Sequence, residues 1–309
     1  MNRASQHKAG PTFSGQLGPG KAAGAADTAP EEGRRWYLSL LIHIGLLGAS
    51  FLMLYPLLWM LAGSLKDQSE IFGQASLLPQ KWDFSAYARG WSGMTISFGT
   101  YFWNSLVIAV LSVVGNVVSC SLAAFAFARL HFRGRNLWFA LMLGTLMLPY
   151  HVTLIPQYVL FLHLGWVNTI LPLVVPKFLA VDAFFIFLMV QFFRGIPREL
   201  DEAAMMDGCS AWRIYSRIML PLSLPVLATA AIFSFIWTWD DFFGPLIYLS
   251  DSGSYTVQLG LRSFVDSTGN SDWSGLFAMS NLSLVPVFVI FLFFQRLLIE
   301  GIATAGLKR

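Results

Sequence analysis

Charge and cysteine are scarce in this 309-residue chain. Charged residues make up 12% of it, against roughly 25% in an ordinary globular domain, which excludes a pair of soluble domains. Two cysteines, Cys120 and Cys209, cannot build a disulfide framework. Cys120 falls inside an apolar run, where a small buried side chain is expected. The net charge of +3 comes with no basic stripe interleaved with aromatics, so no nucleic-acid partner is expected. The histidines show neither metal-ligand spacing nor an H-E-x-x-H pattern, so no metal site is expected.

Long apolar runs take the place of charge: the hydrophobic share is 56% and the mean hydropathy +0.60. Residues 1–33 are the exception, rich in Gly, Ala, Pro, Ser and Thr without an apolar period, and are expected to be a disordered tail. Within that tail Gly15 to Ala22 approaches a phosphate-binding loop. Ala22 stands where a magnesium-holding Ser or Thr is needed, so the chain is not expected to bind ATP by itself. Six apolar stretches follow, at about 37–62, 101–128, 137–161, 170–193, 222–249 and 276–299. Each is near or above the ~20 residues with which a helix crosses ~30 Å of hydrocarbon. The expected fold is an all-α integral membrane protein of six transmembrane helices within residues 34–309.

The basic residues set its orientation. Fifteen Lys and Arg lie in the tail, the second-to-third loop, the fourth-to-fifth loop and the C-terminal end, while the opposite loops hold Lys66, Lys81, Arg89 and Arg262. The positive-inside rule then makes both termini and the loop 194–221 cytoplasmic, and turns 63–100 and 250–275 outward.

That loop carries the densest local signals. Pro197 suits a first helical position, and Glu199, Asp201 and Glu202 set negative charge against the positive end of a helix dipole. Asp207-Gly208 reads as a stop, with Gly208 free to adopt a left-handed conformation, and Ser210 can cap a second helix through Trp212 and Tyr215. Leu200, Ala203 and Ala204 fall on one side, where small alanines permit a partner's close approach. From composition alone, an interfacial helix that merely anchors the loop is the favoured reading.

Glu202-Ala203-Ala204, three residues, Gly208, nine residues, Ile218, one residue and Leu220-Pro221 resemble the EAA loop of permease subunits in binding-protein-dependent ABC importers. From about Tyr37 to Arg309 the chain further resembles the carbohydrate branch, in particular the smaller permease of maltose-type transporters. Asn104-Ser105, Ala128-Arg129-Leu130, Leu148-Pro149, Ile155-Pro156 and Ile196-Pro197 support the likeness. It implies a multi-pass protein of the bacterial inner membrane, with an EAA coupling helix between the fourth and fifth spans. Glu202, Ala203, Ala204, Asp207 and Gly208 would dock on a cytoplasmic ATPase. The implied partners are a homologous second permease, two ATPase subunits that bind ATP and Mg, an extracytoplasmic solute-binding protein and a sugar. No cofactor is implied in this chain, and it would be no enzyme.

Charges inside a span cost about 2.5 to 3.5 kcal/mol on insertion scales, so each calls for a partner or a cavity. Lys177, Asp182, Asp240 and Asp241 qualify. On one continuous helix Lys177 and Asp182 would lie about 140° apart and pair poorly; Lys177 is expected to reach outward and Asp182 to face the interior. Trp237, Trp239, Asp240 and Asp241 are the candidate sugar contacts, since aromatic faces stack on pyranose rings and carboxylates accept hydroxyl hydrogen bonds. The family usually has an amide where Asp240 stands. A Trp belt at the outer interface is the alternative reading. A non-sugar solute of glycerol-phosphate type is the alternative cargo. An integral membrane enzyme would need a nucleophile, base or metal constellation, and a lone ion-coupled carrier would need paired inverted repeats; neither pattern is present.

Overall fold

The computed structural model describes residues 29–73, 76–93, 95–265 and 271–306, and their regular structure is entirely helical. The phosphate-loop-like stretch lies outside the described residues. Two compact units divide at Pro56. The first comprises, among described residues, the larger part of helix α1 (Ala29–Gly63). Its described part reaches back to Ala29, inside the segment expected as tail.

In the second unit, α2 (Gln68–Gly73) and α3 (Ser85–Ser92) precede the long α4 (Phe98–Arg129). Asp67 and Asp83 brace the two short helices. Hydrogen bonds from Ser69 and from Ser85, each led by the hydroxyl, hold these carboxylates below the ordinary carboxylate range. Next come α5 (Arg135–Thr145), α6 (Tyr150–His163), α7 (Leu171–Val174), α8 (Ala183–Gly195) and α9 (Glu199–Met206). They are followed by α10 (Ala211–Ile214), α11 (Leu220–Leu222), α12 (Leu224–Trp239), α13 (Phe243–Tyr248), α14 (Val257–Leu261) and α15 (Trp273–Gly306).

Among the described residues, four segments are long and apolar enough to cross a membrane: Trp36–Gly63, Phe98–Arg129, Leu171–Gly195 and Trp273–Gln295. A fifth is the pair Ala211–Leu222 and Leu224–Trp239, bent by 78°, if it counts as one span. The stretch expected at 137–161 is two helices, α5 and α6. Pro149 is extended at φ −61 and ψ 130 between them, and a proline cannot continue the hydrogen-bond ladder of the preceding helix. The stretch expected at 222–249 bends at Ser223, just before Leu224-Pro225, and its helix ends at Trp239. Hydropathy averaged over a window registers apolar length and passes over such breaks.

Helix α4 is the axis of the second unit, with α8 and α12 packed along it. Its buried side repeats Ser112, Asn116, Cys120, Ala124 and Ala128 at every fourth residue, and these mostly small side chains let helices approach closely. At Gly115 an added Cβ would meet the Phe178 ring at 2.8 Å. Cys120 is fully buried, as expected. One apolar cluster gathers Phe125, Met189, Phe193, Tyr215 and Met219 around the C-terminal half of α4, and a second gathers Phe98, Tyr101, Phe235, Trp239 and Met279 around its N-terminal half.

Between α7 and α8 the backbone leaves the α-helix: a 3₁₀ turn at Val175–Leu179 ends on Ala180, whose φ is +54. A side chain of α4 takes up a carbonyl that this break releases: Ser119 Oγ donates to the Lys177 carbonyl at 2.8 Å, while the Asp182 carbonyl accepts the Phe185 and Ile186 N–H groups at 3.1 and 3.2 Å as α8 begins. Such internal satisfaction is what makes a broken helix tolerable in an apolar surrounding.

Candidate functional site

The segment 194–221 folds as a helix, a tight turn and a second helix. Hydrogen bonding in α9 begins at the Arg198 carbonyl, which accepts from Asp201 at 3.0 Å and Glu202 at 3.1 Å, so Pro197 lies just outside the helix and not at its first position. The three acidic residues of the first turn face the partial positive charge of the unpaired N–H groups. The end is a Schellman turn: Gly208 takes φ +76, its N–H reaches the Met205 carbonyl at 3.0 Å, and Cys209 N–H reaches Ala204 at 2.9 Å. Ser210 Oγ then accepts from Arg213 N–H at 3.4 Å and starts α10. That helix widens into one π-type stretch at Tyr215–Met219, where Leu220 N–H bonds the Tyr215 carbonyl five residues back.

Helix α9 has two unlike sides. Asp201 and Ala204 are buried, Ala204 within the apolar cluster around α4. Glu202, Ala203, Met205, Met206, Asp207 and Gly208 are exposed, Met206 at 88%. The small size of Ala204 therefore serves packing within this chain, while Ala203 is the alanine left open. Tyr215 anchors the second helix, its hydroxyl 2.8 Å from Ser121 Oγ of α4 and its ring 5.4 Å from that of Phe125. Arg129, at the end of α4, lies with Nε 3.1 Å from Asp201 Oδ2 and donates from Nη2 to the Ile196 carbonyl at 2.7 Å. Nothing in the local sequence around Arg129 marks Asp201 as its partner.

A second group lines a cavity of about 80 Å³: Lys177, Trp237, Thr238 and Asp241, with Ser105 of α4 and Thr256. Lys177 Nζ bonds Asp182 Oδ2 at 3.0 Å, correcting the expectation that the two are poor partners. The 140° separation presumed a continuous helix; the left-handed Ala180 turns Asp182 back toward Lys177. Asp241 Oδ1 accepts from Gly244 N–H at 3.1 Å, so this carboxylate also steadies the start of α13. Trp237 is 51% exposed, with the rings of Phe184, Phe185 and Phe233 beside it. Trp239 and Asp240 do not join the lining. Trp239 is buried, stacks on Phe235 and donates from Nε1 to the Ser283 carbonyl at 3.0 Å. Asp240 is exposed, with Gln258 Nε2 at 3.4 Å.

Thr256 Oγ1 is buried beside the cavity without a hydrogen-bond partner among the described residues. The neighbouring segment is held by the Asn104-Ser105 pair. Asn104 Nδ2 donates to the carbonyls of Gly253 and Tyr255 at 2.9 and 3.1 Å, and Ser105 Oγ accepts from Val257 N–H at 2.8 Å. Among the described residues no group of three or more His, Cys, Asp or Glu could hold a metal ion.

Among the described residues, several membrane-length apolar helices, an exposed acidic and apolar short helix and a small cavity edged by polar side chains are the parts of a transport subunit. Residues 115–304 match the family of binding-protein-dependent transport system inner membrane components, and the chain belongs to that family. It is 33% identical to the arabinooligosaccharides transport system permease protein AraQ of Halalkalibacterium halodurans, over 88% of this chain and 97% of that protein. It is 32% identical to the trehalose/maltose transport system permease protein MalG of Thermococcus litoralis, over 87% and 96%. A chain from the crystal structure of a bacterial ABC transporter involved in the import of the acidic polysaccharide alginate superposes with a TM-score of 0.75, covering 88% of this chain and 99% of that one. At 23% identity that likeness carries the fold alone. The chain is a multi-pass permease subunit of an ABC importer.

Proposed function

We propose that this subunit forms half of the translocation pathway of a bacterial sugar importer and couples ATP hydrolysis by partner chains to alternating access. Its partners are a second, homologous permease, two cytoplasmic ATPases and an extracytoplasmic solute-binding protein; ATP and Mg are bound by the ATPases. Six spans cross the inner membrane: α1, α4, the α5–α6 pair, the α7–α8 segment, the bent run from α10 to α12, and α15. Both termini and α9 are cytoplasmic, in line with the distribution of Lys and Arg.

The observation that carries the reading is the open side of α9. Glu202, Ala203, Met205, Met206 and Asp207 are exposed, while Ala204 and Asp201 fix the other side to the chain's own core. Helices that lie in a lipid interface carry Lys and Arg on their polar face; this one offers acids, which suits a protein partner. Closure of the ATPases on ATP draws α9 and, through it, the bundle, opening the pathway toward the loaded binding protein.

In the pathway, Trp237 stacks on a pyranose face and Asp241 accepts a sugar hydroxyl. Asp182 holds Lys177, Trp239 anchors α12 through Ser283, and Asp240 stands at the rim. The names of AraQ and MalG support a sugar as cargo. A phosphate-bearing solute would want an unopposed cation, and Lys177 already has Asp182. The test is ATP-dependent accumulation in proteoliposomes holding the full complex and its binding protein. Maltose, trehalose or an arabino-oligosaccharide should enter and glycerol 3-phosphate should not. Uptake of the phosphate ester alone would overturn the sugar assignment.

A further inference from the structure

The guanidinium of Arg129 is almost wholly buried, with 5% of its side chain exposed, and Asp201 opposite is nearly as enclosed at 12%. Arg129 Nε lies 3.1 Å from Asp201 Oδ2 but is not aimed along a hydrogen-bond line. Neither that nitrogen nor Asp201 Oδ1 has a hydrogen-bond partner among the described residues. The contact is a charge pair, and the aligned bond of the same guanidinium goes from Nη2 to the Ile196 carbonyl. A cleft of about 320 Å³ opens beside the pair, with Arg198 and Glu202 on its lining.

A buried ion pair contributes little net stability, because desolvating two charges offsets most of their attraction, whereas stranding one of them is costly. It is a weak way to hold a fold together and an effective way to fix the register of two elements. The elements here are α4, along which α8 and α12 pack, and α9, whose exposed side is proposed to meet the ATPase. One planar guanidinium contacts the chain just before α9 and a carboxylate in its first turn, and so restrains both the position and the rotation of α9 against the end of α4.

We infer that Arg129 and Asp201 are positioning residues that make α9 and the end of α4 one rigid body, so that a displacement of α9 is passed to α4 and not absorbed in the loop. The inference rests on the coupling role proposed for α9 and adds the connection on its inner side.

The test uses the complete complex in proteoliposomes, measuring uptake and ATP hydrolysis per assembled complex. Arg129→Met and Asp201→Leu each strand a charge and lower assembly; the double variant strands neither. In the double variant, uptake should fall by about tenfold while ATP hydrolysis stays within about twofold of wild type. Spin labels at Leu122→Cys of α4 and Glu199→Cys of α9, both exposed, in a Cys209→Ser background, give the direct readout. Their separation should be the same in the nucleotide-free and ATP-trapped wild type and should differ between those states in the double variant. A wild-type separation that changes between the two states, or uptake and hydrolysis that change in proportion in the double variant, would overturn the link. A wild-type complex whose ATP hydrolysis ignores the loaded binding protein would instead overturn the coupling role itself.

Discussion

Substitution at Gly208 isolates the turn that ends α9. An added Cβ there meets no atom within 4 Å, so crowding contributes nothing and the whole effect is the cost of φ +76 for a residue with a side chain. That cost is small for Asn, whose short polar side chain tolerates the left-handed region, about 1 to 2 kcal/mol for Ala, and up to about 3 kcal/mol for a β-branched Val. At 3 kcal/mol the ratio of the native turn to its competitors falls on the order of 100-fold. The bonds from Gly208 to Met205 and from Cys209 to Ala204 depend on that turn, and with them the aim of the exposed side of α9. The assay is ATP-driven uptake per assembled complex for Gly208→Asn, Gly208→Ala and Gly208→Val. Uptake should decline in that order while insertion into the membrane persists. Equal uptake by the Val and Asn variants would refute the argument that the turn's left-handed geometry matters.

At the cavity, Asp241→Asn keeps an acceptor for Gly244 N–H but removes the charge, whereas Asp241→Ala removes both. If the carboxylate binds a sugar hydroxyl, the Asn variant loses about 1.5 to 3 kcal/mol, or about 10- to 150-fold in affinity, at normal complex abundance, while the Ala variant also loses abundance. Uptake within about twofold of wild type in Asp241→Asn, at sub-saturating sugar, would remove Asp241 from the pathway. Lys177→Met leaves Asp182 without its cation and should cost roughly 1 kcal/mol, since both side chains keep some exposure; adding Asp182→Asn should restore complex abundance. A membrane-impermeant maleimide should label Cys209 in inverted vesicles only, and Cys120, fully buried, should resist it in folded protein; labelling of Cys209 in intact cells would reverse the orientation.

The parts of the loop that depend on neighbours in sequence were legible. Gly208 as a left-handed stop and Ser210 as a cap involve bonds spanning at most five residues, and residue type alone carries that information. The link from Arg129 to Asp201 joins distant parts of the chain, and nothing at either position marks the other. Apolar length gave most of the candidate spans but not the breaks at Pro149, Ala180 and Ser223, because a window average records how apolar a run is and not whether its hydrogen-bond ladder continues. The break at Ala180 also brings Asp182 to Lys177, a pairing that a continuous helix would not allow. Trp237 and Trp239 form one run in sequence, yet two residues on a helix turn by about 200°, so one borders the cavity while the other enters the core. Helical periodicity could have separated them; which of the two bordered a cavity needed the packing of α12 against α4 and α15.

The most direct measurement is site-specific photocrosslinking from α9 in assembled wild-type complexes. A crosslinker at Met206, which is exposed at 88%, should capture an ATPase subunit, whereas one at Ala204, which is buried, should capture only this chain. Capture of lipid alone at Met206, in complexes that still import sugar on ATP, would contradict the coupling role of α9.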